Sequence, residues 1–151
     1  MVSDHHARGL GGGVIRPALV LIALAPMAHA MDAPLTGQAG DPVAGRAIVV
    51  EATKGLCILC HAGPWPDVPF MGDLAPDLTG VGAALTVAEL RQRIVDSRVV
   101  MPQTIMPPYH ATEGLTRVGA TWQGQPILTA QEVEDVVAYL ATLTDPKEES
   151  R

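Results

Sequence analysis

Aromatic side chains are scarce. The 151 residues hold one Phe, two Trp and two Tyr. A small chain with so little ring area has difficulty filling a core by itself, so something else is expected to supply volume. Basic residues are few and scattered, 10 against 16 acidic ones for a formal net charge of −6. No basic stripe exists, which argues against a nucleic-acid partner. Long hydrophobic runs are missing except for one near the start. Strand patterns alternating with helix patterns are missing too, and cysteine occurs only twice.

What is present is a globular composition, 48% hydrophobic and 17% charged, at a length suited to one domain. The single apolar run belongs to an export signal. Arg8 and Arg16 give a positive lead, 18–25 an apolar stretch, and Ala28-His29-Ala30 a small-x-small site. Residues 1–30 are therefore expected to be a secretory signal peptide cleaved after Ala30. The alternative, an uncleaved anchor, meets a run that is short and broken by Pro26 and His29, where a span takes ~20 residues. Cleavage leaves residues 31–151, with 8 basic and 15 acidic side chains, and only His61 and His110 of the five histidines. The mature protein is then expected to be soluble and outside the cytoplasm.

Residues 31–40 read as a flexible N-terminal arm. Asp41-Pro42 reads as N-cap plus first helical residue, opening a helix to about Thr53 with Gly45 inside it. Residues 62–82 contain four prolines and four glycines, too many for a long element. Thr86-Val-Ala-Glu89 and Thr129-Ala-Gln-Glu132 are capping boxes. The first opens a helix to about Arg98. The second opens a helix carrying Val133, Val136, Val137, Leu140 and Leu143 at helical spacing. Between them 101–117 is a loop, and 122–128 a short hairpin or turn around Gly124. Residues 145–151 form a charged tail. The expected class is all-α, with three main helices and long loops.

Both cysteines fall in Cys57-Ile-Leu-Cys60-His61. A thioredoxin-like pair belongs to an α/β pattern that is missing. A structural zinc site would have only Cys57, Cys60, His61 and His110, in no familiar spacing. Covalent attachment of haem c needs what is present: two thiols for the two vinyl groups, and a histidine one turn on for the iron. The haem would also supply the missing core volume, and the Pro/Gly-rich loops would wrap it. Candidates for the sixth iron position are Met71, Met101, Met106, His110 and Lys54; spacing does not separate Met101 from Met106, since both precede proline. Arg91, Arg93 and Arg98 are expected on a solvated helix face, the alternatives being haem propionates or a partner. Trp65, Phe70, Trp122 and Tyr109 are expected to line the haem pocket.

From Asp41 to Thr144 the order of features resembles class I cytochromes c: a helix with Gly45, the Cys57–His61 motif, Pro76-Asp-Leu78, a Met-Pro loop, and a helix ending Asp-Val-Val-Ala-Tyr-Leu140. That resemblance implies a close crossing of the first and last helices, with Gly45 and Val49 against Val136, Tyr139 and Leu140. It also implies that the Pro76 carbonyl accepts the ring N–H of His61. A narrower similarity, to the SoxX family, runs through 72–82, 90–98, 102–109 and 127–140. It implies Met106 as the distal ligand beside His61, although Met101 stands where a polar residue is usual. It further implies a heterodimer with a SoxA-like cytochrome that carries the catalytic haem. The pair oxidatively couples thiosulfate to a carrier-protein cysteine and passes electrons to a small cytochrome. Two other functions remain open: a stand-alone periplasmic electron shuttle, and a haem-based sensor of small ligands.

Overall fold

A computed structural model describes residues 31–145. The expected signal peptide and all but the first residue of the expected tail lie outside the described residues. Among these the only regular elements are helical: α1 (Pro42–Val50), a 3-10 turn (Cys57–Leu59), α2 (Val81–Ala84), α3 (Val87–Asp96), 3-10 turns at Ser97–Val99 and Ala120–Trp122, and α4 (Ala130–Thr142). No described residue is in a strand. Residues 122–128 accordingly form turns and no hairpin ladder.

Each main helix starts on the chemistry its sequence announces. Asp41 accepts the Val43 N–H at 2.8 Å, with Pro42 behind it. The Thr86 hydroxyl accepts the Glu89 N–H at 3.2 Å while the Glu89 carboxylate accepts the Thr86 N–H at 2.8 Å. Thr129 and Glu132 repeat the exchange at 3.3 and 2.8 Å. Each such cap contributes ~1 kcal/mol. α1 ends at Val50, short of Thr53, because Glu51 turns the chain. Its side chain accepts the Thr53 N–H and hydroxyl, and its carbonyl accepts from Gly55 and Leu56. Gly55 then lies so close to the Ile48 carbonyl that a Cβ would overlap it.

The core sits where α1 and α3 meet α4. A Cβ on Gly45 would run into the Asp135 carbonyl and sit 2.9 Å from the Tyr139 Cβ, so α1 and α4 cross nearly backbone to backbone. Val49, Val133, Val136 and Val137 are fully buried at this crossing; each contributes ~1.5–3 kcal/mol by leaving water. α2, a turn not expected within 62–82, abuts the end of α4, with Gly82 donating to the Leu143 carbonyl at 2.9 Å.

One expectation is corrected here. Arg91 is not on a solvated face: it is 3% exposed and paired with Glu134, itself 2% exposed. Nε lies 2.8 and 3.1 Å from the two carboxylate oxygens, and Nη2 lies 2.8 Å from Oε2. The residues opposite Arg91, on α4, decide its burial. The same pair organises the arm before α1. Arg91 Nη1 donates to the Met31 carbonyl, Glu134 accepts the Leu35 N–H at 2.9 Å, and Asp135 accepts the Asp41 N–H at 2.8 Å. Composition suggests a loose arm; these bonds tie residues 31–41 to α3 and α4.

Candidate haem-attachment site

The motif follows directly on a strained residue. Leu56 has φ +61°, a left-handed conformation uncommon outside glycine. From it the chain winds into a tight turn, with the Cys60 and His61 N–H groups donating to the Cys57 carbonyl at 3.1 and 2.9 Å. Residues 57, 60 and 61 thus occupy i, i+3 and i+4, which are neighbouring positions on one helical surface. Both cysteines are free. Burial pushes the Cys57 thiol up to about 11, only partly offset by the Tyr109 hydroxyl against it. Burial, followed by the neighbouring Cys57, also pushes Tyr109 up.

The Pro/Gly-rich segment is laced onto this turn by backbone bonds. Gly72 donates to Ile58, Ala75 to Cys60 and Leu78 to Ala62, at 2.8 to 2.9 Å. A Cβ on Gly72 would overlap the Leu59 carbonyl. This lacing places the Pro76 carbonyl oxygen 2.6 Å from His61 Nδ1. A carbonyl can only accept, so Nδ1 carries the proton and Nε2 keeps its lone pair. That is the tautomer needed to bind iron through Nε2.

The sixth-position candidates separate by environment. Met106 is partly buried and packs on the core cluster, whereas Met101 is 61% exposed. Met71 is exposed on the proximal segment. His110 Nδ1 lies 2.9 Å from the Leu128 carbonyl, and Lys54 Nζ lies 2.8 Å from Glu132. The aromatic residues scatter. Trp65 is in the core, donating from Nε1 to the Tyr139 hydroxyl at 2.6 Å, while Phe70 and Trp122 are exposed. Sequence reasoning missed Ser97 and Thr104, whose hydroxyls hold the Met106 backbone. A Thr two residues before the Met is a recognisable turn signal; Ser97 gives none.

The residues present fit a covalently held porphyrin. Two free thiols and an imidazole with an open Nε2 share one turn. Among the described residues, nine of the eleven exposed large hydrophobics lie on the two flanking loops, from Leu59 to Leu74 and from Val99 to Trp122. Such a concentration of uncovered apolar surface suits a large flat apolar ligand.

An all-α chain with these helices and this attachment turn has the cytochrome c fold. No protein-family model and no curated protein matches the sequence. Among solved structures, the crystal structure of SoxXA from P. pantotrophus matches with a TM-score of 0.69 and 39% identity, over 75% of this chain and 88% of that chain. The chain belongs to the SoxXA family of cytochromes.

Proposed function

We propose that this chain is the SoxX-type subunit: a periplasmic monohaem cytochrome c that pairs with a larger SoxA-like cytochrome. In this reading Cys57 and Cys60 would hold one haem through thioether bonds, and His61 and Met106 would ligate its iron. The partner catalyses the joining of thiosulfate to a carrier-protein cysteine, forming an S–S bond with release of two electrons. This chain accepts those electrons and hands them to a small cytochrome. Residues 1–30 direct export, and 41–144 form the cytochrome domain.

One observation carries the assignment of roles. The chain has two cysteines, and both stand in the attachment turn. None is left to serve as a thiolate ligand, so the thiolate-ligated catalytic haem of such a complex falls to the partner. When bound, the haem here supplies a one-electron store. The protein's part is to hold and tune it. The Pro76 carbonyl fixes the His61 tautomer and makes the ring more electron-rich. A Met106 thioether raises the potential and fills the position that a substrate would need.

The test is purification of the tagged, exported protein with its natural partners. Elution with a multihaem cytochrome supports the reading; elution alone favours the shuttle. The long-wavelength thioether–iron band of the oxidised form should vanish in Met106→Ala and persist in Met101→Ala. Carbon monoxide binding by the reduced wild type would instead favour the sensor.

A further inference from the structure

We infer that Ser97 and Thr104 are positioning residues that clamp the backbone of Met106 and so hold its thioether in place. The inference rests on Met106 being the distal ligand.

Ser97 is 5% exposed and follows directly on α3. It closes the Met-bearing loop from both ends. Its carbonyl accepts the Met101 N–H at 2.9 Å, and its Oγ donates to the Met106 carbonyl at 2.9 Å. Thr104 acts from within the loop, its Oγ1 accepting the Met106 N–H at 3.1 Å. Both backbone polar groups of Met106 are thus taken by side-chain hydroxyls. Pro107 restricts Met106 to extended conformations and, having no N–H, cannot extend the loop's hydrogen bonding. Beyond the prolines the chain returns to the same helix. Tyr109 donates to the Ile94 carbonyl and Ala111 to the Val95 carbonyl, both at 3.1 Å.

Held at N–H, at C=O and on its C-terminal side, Met106 retains freedom only in its side chain. Releasing the thioether by swinging the loop outward requires breaking the Ser97 bond, while the Thr104 bond, internal to the loop, keeps the turn before Met106 rigid. Met101 is held differently: its N–H and carbonyl are taken by backbone groups of turns, Ser97 C=O at 2.9 Å and Thr104 N–H at 3.0 Å, with no side-chain hydroxyl on either, and its side chain is exposed. The clamp therefore favours one of two Met-Pro sequences only five residues apart in the chain. It matters most in the ferric protein, where a soft thioether is the weaker ligand.

The test titrates imidazole into the ferric holoprotein and follows the thioether–iron band. Ser97→Ala and Thr104→Val should each lower the half-saturating imidazole concentration about fivefold, the factor expected from one net hydrogen bond of ~1 kcal/mol. Ser97→Thr should restore the wild-type value. Val133→Ala, in the α4 core, controls for general loss of stability. It should lower the unfolding midpoint and leave the titration unchanged. If Ser97→Ala and Thr104→Val titrate like the wild type while Met106→Ala abolishes the band, the clamp is overturned and the ligand stands. If both variants shift only as far as Val133→Ala, their role is merely structural and the clamp is also overturned. A band that survives Met106→Ala overturns the ligand assignment and the clamp together.

Discussion

Arg91 and Glu134 form a bidentate ion pair between α3 and α4 with both side chains almost wholly removed from solvent. Removing either partner strands a charge in the core. Arg91→Met and Glu134→Leu should each destabilise the protein by ~3–5 kcal/mol, whereas the double replacement should cost much less. Thermal unfolding of the three variants checks this, and equal additive losses would contradict it. The single variants should also free the arm. Proteolysis near residues 31–36 is expected to accelerate in Arg91→Met, because the guanidinium no longer grips the Met31 carbonyl.

The crossing of α1 over α4 depends on Gly45. An added methyl has no room, since the obstruction is the Asp135 carbonyl, which is backbone within a helix. Gly45→Ala gains helix propensity of ~1 kcal/mol but forces the two helices apart, and overpacking of this kind costs ~1–3 kcal/mol or more. The net expectation is a loss. An increased unfolding midpoint would show that the helices can separate freely.

The parts of this fold legible in sequence are those whose cause is local. Asp41-Pro42, the two Thr-x-x-Glu boxes, and the valine spacing of α4 each state their structure within a few residues. The turn that brings Cys57, Cys60 and His61 together is legible for the same reason, because their spacing of three and one residues places them on one helical surface. A glycine inside a helix left close backbone packing and a tolerated surface site equally open at Gly45, and the family resemblance pointed to the first. Arg91 was not, since its partner stands 43 residues away and an arginine on an amphipathic helix ordinarily faces water. The end of α1 was missed because a glutamate side chain turning back on its own backbone competes with helix continuation. The bond from Trp65 to Tyr139 was not legible, because the partner lies 74 residues on. Ser97 was missed because nothing in the neighbourhood of a helix-end serine announces a carbonyl nine residues later.

The contact between Pro76 and His61 can be attacked without touching either residue. Gly72 lets the proximal segment lie against the attachment turn; a Cβ there would overlap the Leu59 carbonyl and sit 2.8 Å from the Cys60 Cα. Gly72→Ala should lift the segment and draw the Pro76 carbonyl away from Nδ1. Two readouts are expected to move together. The share of chains carrying covalent haem should fall severalfold, and the reduction potential of those that do should rise, because a less electron-rich imidazole stabilises the ferric form less. An unchanged potential would mean that the carbonyl does not tune the ligand.

Acid sensitivity should concentrate where α3 ends. The Arg98 guanidinium holds the Asp96 carboxyl below its ordinary value of 3.8. Arg98 also donates to the Glu113 and Gly114 carbonyls at 2.9 and 3.1 Å, so protonating Asp96 loosens the anchor of the loop beyond His110. The sign follows from linkage. A carboxyl with a lower pKa folded than unfolded contributes stability that is complete above its unfolded pKa, and that is lost as pH falls through the folded one. The wild type should therefore weaken progressively below about pH 4. Asp96→Asn should start less stable at neutral pH and lose less on acidification, so that the two curves converge in acid. Denaturant midpoints measured across that range decide the matter: curves that stay parallel would mean that the Asp96 charge contributes nothing to the folded state.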